Sequence, residues 1–488
     1  MSTLNRLFKH TFVYGLATVL PRVLTVLLTS LLTAYLPDED AFGKVSLVFS
    51  YIIFLNVLLT YGMETAFFRF YNEKGNKSKT LGTGLISILM STLVFAGIAF
   101  LSIDFLAETT KIGTQYWPWI IGLVVFDTLM VIPFAYMRAQ EKSTKYAVIK
   151  MINVIISAGM ATVFLIWLPQ MDAVNGFLPS DKVELYIIAF FAASLITLIL
   201  VARPYFLKWS FDKVLWKRML SYGYPILIAG IAFAINETSD KVFLRFLLPE
   251  NIAEAQVGIY TGCYRLAIGM TLFATAFKLG VEPFFFSEAK SKDAHQMYAQ
   301  ITKVFVILGS IALLVYLLVM DDVIKPLLLR KEIYWEAIDI VPVVCIAFLF
   351  FGIYQTLSVW YKVTDQTKYG AYISIAGAVL TILINVLFIT KIGYMASAIA
   401  TCVAYGFMMV VSYFLGRKHY AIPYDIKNLL LYLSISILFS CVFFYFFRDY
   451  FGIGSWQLYL VGVAMTAVLT GIILKRERTF LLELVRGK

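Results

Sequence analysis

Histidine and cysteine are scarce, with three and four residues among 488. The histidines, His10, His295 and His419, lack the spacing of a zinc site. The cysteines, Cys263, Cys345, Cys402 and Cys441, lie in four different apolar runs, so neither a metal cluster nor a disulfide framework is expected. Charge is sparse too. Asp, Glu, Lys and Arg make up 15% of the chain, where a soluble domain carries roughly 25%. There is no Gly-x-x-x-x-Gly-Lys-Ser/Thr loop, which argues against ATP hydrolysis. The longest polar connections run to roughly 15–20 residues, too short for a soluble catalytic domain. Neither an enzyme nor a bound cofactor is expected.

What is present is hydrophobic. Apolar residues are 60% of the chain. They fall in runs of about 20 residues, each long enough to cross the ~30 Å hydrocarbon core as a helix. Fourteen such runs can be drawn, from Thr11–Leu36 to Ser455–Leu474. The tightest junction, Thr390 to Gly393, demands a very short turn. The expected fold is an all-α integral membrane protein with about fourteen transmembrane helices. The first run follows Arg6 and Lys9 and is too long for the apolar region of a signal peptide, so it reads as a spanning helix.

A formal charge of +11 suggests nucleic acid only if the cations form one face. Here they alternate with the helices. Counted from a cytoplasmic N-terminus, roughly 27 Lys and Arg fall in connections on one side and roughly 8 on the other. The poor side carries Asp38-Glu39-Asp40 and Glu250…Glu254. Both termini are therefore expected in the cytoplasm, and no nucleic-acid partner is expected.

The two halves resemble each other. Tyr14-Gly15, Leu36-Pro37, Phe42-Gly43 and Glu64…Phe67-Phe68-Arg69 are echoed by Tyr222-Gly223, Leu248-Pro249, Val257-Gly258 and Glu282…Phe284-Phe285-Phe286. The joint Arg138…Lys145-Tyr146 is echoed by Lys362…Lys368-Tyr369. An offset of six helices keeps both copies in one orientation, which makes a parallel repeat about the membrane normal. The expected organisation is a six-helix lobe over 1–203, a cytoplasmic linker over 204–220, a second six-helix lobe over 221–416, and helices thirteen and fourteen with a tail over 417–488. Such a pair of lobes is the plan of an alternating-access transporter.

Ser239-Asp240-Lys241…Leu244-Arg245…Pro249, then Val257-Gly258-Ile259-Tyr260, resembles the second-lobe signature of polysaccharide exporters. With the Arg138…Tyr146 joint and the fourteen-helix plan, the chain is similar to Wzx-type flippases. These belong to the multidrug/oligosaccharidyl-lipid/polysaccharide (MOP) exporter superfamily, with the lipid II flippases and the MATE drug exporters. The resemblance implies a bacterial inner-membrane location and transport of undecaprenyl-pyrophosphate-linked oligosaccharide. It also implies work beside polysaccharide polymerase machinery. A monomer is expected.

Ionisable groups inside a bilayer cost about 2.5–3.5 kcal/mol each at a helix centre, so they should face a cavity or a partner. The cations here are Arg22, Lys150, Lys241, Arg245, Arg265 and Lys278, and the anions Asp127, Glu237 and Asp240, with Glu64 and Glu282 near helix ends. Lys150, Lys278 and Arg245 lie near enough to helix ends to snorkel. Arg22 follows Pro21 in mid-helix, where a kink opens space. Arg265 lies two turns into helix eight. Guanidinium groups donate paired bonds to phosphate oxygens, so Arg22 and Arg265, with Lys241 and Arg245, are the expected pyrophosphate ligands. Asn236, Glu237, Asp240 and Lys241 crowd one segment of helix seven. Glu237 and Lys241 are spaced for a local pair, which leaves Asp240 to find its own partner. The resemblance implies a cation site near helix seven with ligands on helix eleven, where only Asn385 is suitable. Na+ or H+ is the expected coupling ion, and the absence of any acid on helix eleven weighs against Na+. A cation-coupled drug exporter resting on Asp127, Glu237 or Asp240 is the alternative.

Overall fold

The structure is a computed structural model of the 488-residue chain. It describes residues 23–24, 26–71, 73, 77–168, 179–207, 210–287, 291 and 293–479. Among these there is helix and no strand. The helices are α1 (Val26–Tyr35), α2 (Glu39–Thr60), α3 (Met63–Tyr71), α4 (Lys77–Leu101), α5 (Ile103–Thr110), α6 (Trp117–Ala139) and α7 (Ser143–Thr162). Next come α8 (Lys182–Val201), α9 (Lys213–Leu247), α10 (Glu250–Leu266), α11 (Ile268–Ser287), α12 (Ala294–Val319), α13 (Lys325–Leu328) and α14 (Ile340–Leu357). The chain ends with α15 (Val359–Val363), α16 (Lys368–Ile392), α17 (Tyr394–His419), α18 (Ile426–Val442), α19 (Arg448–Phe451) and α20 (Trp456–Arg476). Among the described residues twelve spans are long and apolar enough to cross a bilayer, or thirteen if the bent pair α10–α11 is one span. With the shorter apolar α1, the chain is compatible with fourteen crossings.

Three local differences from the sequence expectation have clear causes. Helix eight is not continuous: α10 and α11 meet at a 46° bend. The Tyr316 hydroxyl of α12 sits in the break, donating to the Leu266 carbonyl and accepting from the Gly269 N–H at 3.3 Å, so the backbone groups freed by the bend stay satisfied. Helix seven begins at Lys213 rather than Ser221, inside the expected 204–220 linker. Asp212 caps it by accepting from the Val214 and Leu215 N–H groups, and Leu215 and Met219 pack into a buried cluster with Met63, Phe67, Phe70 and Ile132. The turn before α17 shrinks to one residue. Gly393 takes φ +58° and ψ −142°, a conformation with almost no cost only for glycine.

The echoed joints share a backbone motif. Glu141 and Asp365 both take left-handed φ, +57° and +56°. The Lys142 N–H reaches the Met137 carbonyl at 3.0 Å, and the Gln366 N–H reaches the Tyr361 carbonyl at 2.8 Å. Each is a Schellman-type helix end, six residues closed onto the first. Two matching turns at matching places support the repeat at the level of local structure.

The chain divides into two compact units, Met1–Thr261 and Gly262–Lys488. In the first, α2, α3 and α4 pack on α6 and α9, and α7 packs on α8. In the second, α14 packs on α11, α12 and α17, α16 on α17, and α18 and α20 on α12. The last two helices are fastened to α12 at both its ends. At one end the Lys303 ammonium meets Asp425 at 2.9 Å and Glu477 at 3.0 Å, and Tyr432 donates to Glu477 at 2.9 Å. At the other, buried Asp321 accepts from Lys325 Nζ and Arg448 Nε, both at 2.7 Å, while Tyr459 donates to Asp322. Lys303 and Asp321 stand roughly 27 Å apart along the helix at 1.5 Å per residue, close to the hydrocarbon thickness.

Replacing Asp321 by Leu strands Lys325 and Arg448 as buried unpaired cations, a loss of about 3–5 kcal/mol. The detergent-purified variant should melt well below the parent, and an unchanged melting temperature would refute the anchor. At Asp212 the Leu215 N–H, helped by Lys79, holds the carboxyl below the usual carboxylate range. Its charge therefore stabilises the fold above about pH 4, the ordinary Asp value, and the gain is lost as pH falls through the lowered pKa. Asp212→Asn should melt below the parent at neutral pH, with the gap closing on acidification.

Candidate functional site

A dense buried polar region lies where α2, α9 and α10 meet in the first unit. The last three turns of α9 carry Asn236, Asp240, Lys241 and Arg245, all buried. Burial forces each charge to find compensation. One Asp240 oxygen accepts from the Lys241 N–H at 2.8 Å and its ammonium at 3.0 Å, and the other accepts from the Tyr260 hydroxyl at 2.7 Å. Neither oxygen is left unpartnered. Asp240 thus finds its partner in the neighbouring Lys241, whose ammonium also lies 5.9 Å from the Tyr260 ring centre. Arg245 meets Glu254 at 3.3 Å, and Glu254 in turn meets Lys44 at 3.4 Å.

The backbones of α2 and α10 cross beside this cluster. A Cβ on Gly43 would collide with the Glu254 carbonyl, and one on Gly258 with the Glu39 carbonyl. The contact is reciprocal. Gly43 and Gly258 are the echoed glycines of the repeat, and Glu39 and Glu254 each precede them by one helical turn. The small-residue pairing therefore lets two equivalent helix ends touch backbone to backbone.

The remaining expected site residues are dispersed. Arg22 lies outside the described residues. Glu237 and Asn236 lie on α9 and are engaged. Arg265 belongs to the second unit, half-buried near the end of α10, and it too is engaged. Asn385 is fully buried on α16, donating to the Thr381 carbonyl at 2.8 Å and accepting from Ser397 Oγ at 2.7 Å. Both ends of its amide are occupied within the unit. Asp127 accepts from Ser194 Oγ at 2.7 Å and Asn56 Nδ2 at 3.4 Å, joining α2, α6 and α8. Lys150 lies 4.4 Å from the centre of the Phe134 ring. Glu64 meets Arg138 at 3.1 Å, and Arg138 also covers the Phe68 ring at 4.5 Å. The echoed polar motif Glu64…Arg69 thus ties α3 to the α6–α7 joint.

Sequence reading missed Asp321, Lys325 and Arg448. It ended helix nine at Met320 and helix thirteen at Phe447, and so left them to the connections. The Asp321/Lys325 spacing of i, i+4 was the available signal. Arg448 had none, because its partner is remote in sequence.

This helical architecture can be set beside known proteins. A family model described as polysaccharide biosynthesis protein matches residues 7–281. The chain belongs to that family. A second model, MatE, matches residues 225–387. The Lsg locus putative protein 1 of Haemophilus influenzae is 20% identical over 292 residues, covering 59% of this chain and 68% of that protein. The lipid II flippase MurJ, in an inward closed conformation, superimposes with a TM-score of 0.75 at 15% identity, covering 95% of this chain and 99% of MurJ. An inward-facing multidrug resistance MATE family transporter gives 0.64 at 13% identity, covering 86% and 95%. A MOP superfamily transporter from Pyrococcus furiosus gives 0.60 at 14% identity, covering 86% and 96%. The protein is a multi-pass membrane protein with the fold of MOP-superfamily transporters and flippases.

The Asp240–Lys241 pair can be apportioned by a double-mutant cycle. Asp240→Ala takes away the carboxylate that faces the buried Lys241 ammonium and should cost about 3–5 kcal/mol. Adding Lys241→Met should recover most of that loss in thermal unfolding of the purified protein. Additive losses in the double variant would show that the two side chains are not coupled.

Proposed function

We propose that this protein is a flippase. It carries undecaprenyl-pyrophosphate-linked oligosaccharide from the inner to the outer leaflet of the bacterial cytoplasmic membrane, by alternating access. The observation that carries the reading is membership of the polysaccharide biosynthesis protein family over residues 7–281. The similarity to a lipid II flippase over nearly the whole chain supports it. So does the charge balance of the membrane-embedded segments, which is positive, as a diphosphate requires.

The geometry narrows the roles. Lys241 and Arg245 already face carboxylates, so a diphosphate would have to displace Asp240 or Glu254 to reach them. We give the pyrophosphate to Arg22 and Arg265, one arginine in each lobe, and give Lys241 and Arg245 the task of keeping α9 and α10 neutral where they meet. In the orientation set by the basic connections, the Gly43–Gly258 crossing lies at the outer end of these helices. An alternating-access cycle must part it. Both Asp240 oxygens and both ends of the Asn385 amide already have protein partners, which disfavours a Na+ site on them. Proton drive, or drive by the membrane potential, suits this arrangement better.

The MatE match over residues 225–387 supports a second reading, a cation-coupled drug exporter. Such a protein would depend on Asp127, Glu237 or Asp240 rather than on arginines.

The two readings separate in one experiment. In cells lacking the gene, Arg22→Ala and Arg265→Ala should each reduce surface polysaccharide at least tenfold at unchanged protein level. The purified parent in liposomes should translocate labelled undecaprenyl-pyrophosphate oligosaccharide. Normal surface polysaccharide in both variants would refute the flippase, and drug sensitivity on loss of Asp127 would favour the exporter.

A further inference from the structure

The α6–α7 joint and the end of α8 border a hollow of about 150 Å³, apart from the residues given the pyrophosphate. Its polar side is made by Lys142, Lys145, Arg203 and Gln140. Its other side is apolar and includes Leu200 and Leu207, both exposed. Among the described residues none of the three cations has a carboxylate within ion-pair distance. Lys142 Nζ donates only to Gln140 Oε1, at 2.7 Å. Neighbouring cations of the same connections behave differently. Arg138 meets Glu64 at 3.1 Å, Arg218 meets Glu73 at 3.3 Å, and Lys79 meets Asp212 at 3.4 Å.

The backbone adds to the imbalance. Lys142 is the N-cap of α7, which has no side-chain cap and no acid in its first turn, and Lys145 lies in that turn. The N-terminal end of a helix already carries partial positive charge and exposed N–H donors. Lys142, Lys145 and Arg203 are exposed, and the two lysines add to that positive field, which a bound anion would offset. Arg203 closes the hollow from a separate element, the short turn Arg203–Phe206.

We propose that this hollow binds the phosphate of an inner-leaflet lipid. The three cations and the open N–H groups of α7 take the phosphate oxygens, and Leu200 and Leu207 flank the start of the acyl or polyprenyl chain. A phosphate fits the volume, and a basic pocket between transmembrane helices at the cytoplasmic face is suited to an anionic headgroup. The proposal needs the cytoplasmic placement of this joint but not the flippase activity. The same chemistry belongs to a bulk anionic phospholipid and to a polyprenyl pyrophosphate.

The test uses the full chain in nanodiscs of phosphatidylcholine, doped with phosphatidylglycerol in one arm and undecaprenyl pyrophosphate in the other. Native mass spectrometry counts the retained lipid. Lys142→Gln, Lys145→Gln and Arg203→Gln should each weaken retention about fivefold, and the triple variant about a hundredfold. A loss in the phosphatidylglycerol arm identifies a bulk phospholipid, and a loss confined to the other arm identifies the polyprenyl lipid. Arg417→Gln with Lys418→Gln, which removes two cations outside the hollow, should leave retention unchanged. Parent-like binding by the triple variant in both arms overturns the proposal, as does an equal loss in the control. Should the triple variant fail to fold, Lys145→Glu and Arg203→Gln, on separate elements, give the same reading singly. Because no transport is measured, a negative result here leaves the flippase reading standing, and a transport failure leaves this site standing.

Discussion

A charge held among hydrocarbon must be answered by another charge or by several hydrogen-bond donors, and this requirement organises both units. In the second unit it fixes the last two helices to α12, through Lys303 at one end and Asp321 at the other. In the first it fixes the C-terminal part of α9, where Asp240, Lys241 and Tyr260 satisfy one another and Arg245 is answered by Glu254. Each cluster binds elements that apolar contact alone would hold weakly, because lipid competes for the same apolar surface. Removing one partner costs more than the pair contributes, since the survivor is left charged and buried. Such clusters are therefore rigid, and motion has to occur elsewhere.

The Gly43–Gly258 crossing is a contact of another kind. Its close approach is between two backbones brought together by the absence of Cβ atoms, with the partly exposed Lys44–Glu254 pair beside it. Close packing of this sort is held by dispersion, whose individual contacts are small and short-ranged. Parting it unpairs Lys44 from Glu254, a partly exposed pair of modest strength. The arrangement of a rigid charge cluster beside a dispersion-held crossing suits helices that must separate and return without unfolding. Reciprocity adds to this. The same two types of residue meet in both directions, so both helices experience the same change on parting.

Much of the fold was legible in the sequence because the bilayer imposes simple rules. Helix length follows bilayer thickness, and clusters of Lys and Arg punctuate the spans. The echoed glycines and joints were visible as words in the polar connections, where selection for mere hydrophobicity does not act. The bend at Ala267 was not legible, because it depends on the Tyr316 hydroxyl reaching across from another helix. The early start of α9 was hidden by the charges Lys213, Lys217 and Arg218, which mask the buried Leu215 and Met219 in any hydropathy window. The Arg448 partner of Asp321 was likewise remote in sequence, and Glu254, which answers Arg245, stands on the next helix. Spacing finds i, i+4 pairs and is blind to contacts between helices.

The distinction between answered and unanswered charge bears most directly on function. Composition puts Lys241 and Arg245 beside Arg22 and Arg265 as equal candidates for a diphosphate. Geometry sets the first two apart, because a cation already facing a carboxylate at about 3 Å must give up that interaction before it can gain a ligand. The same reasoning, applied outside the hydrocarbon, singles out Lys142, Lys145 and Arg203 from the many cations of the polar connections. What marks them is the concave arrangement, the lack of carboxylates and the helix end that deepens the positive field. Net charge points to a side of the membrane, and only the pairing of each charge points to a site.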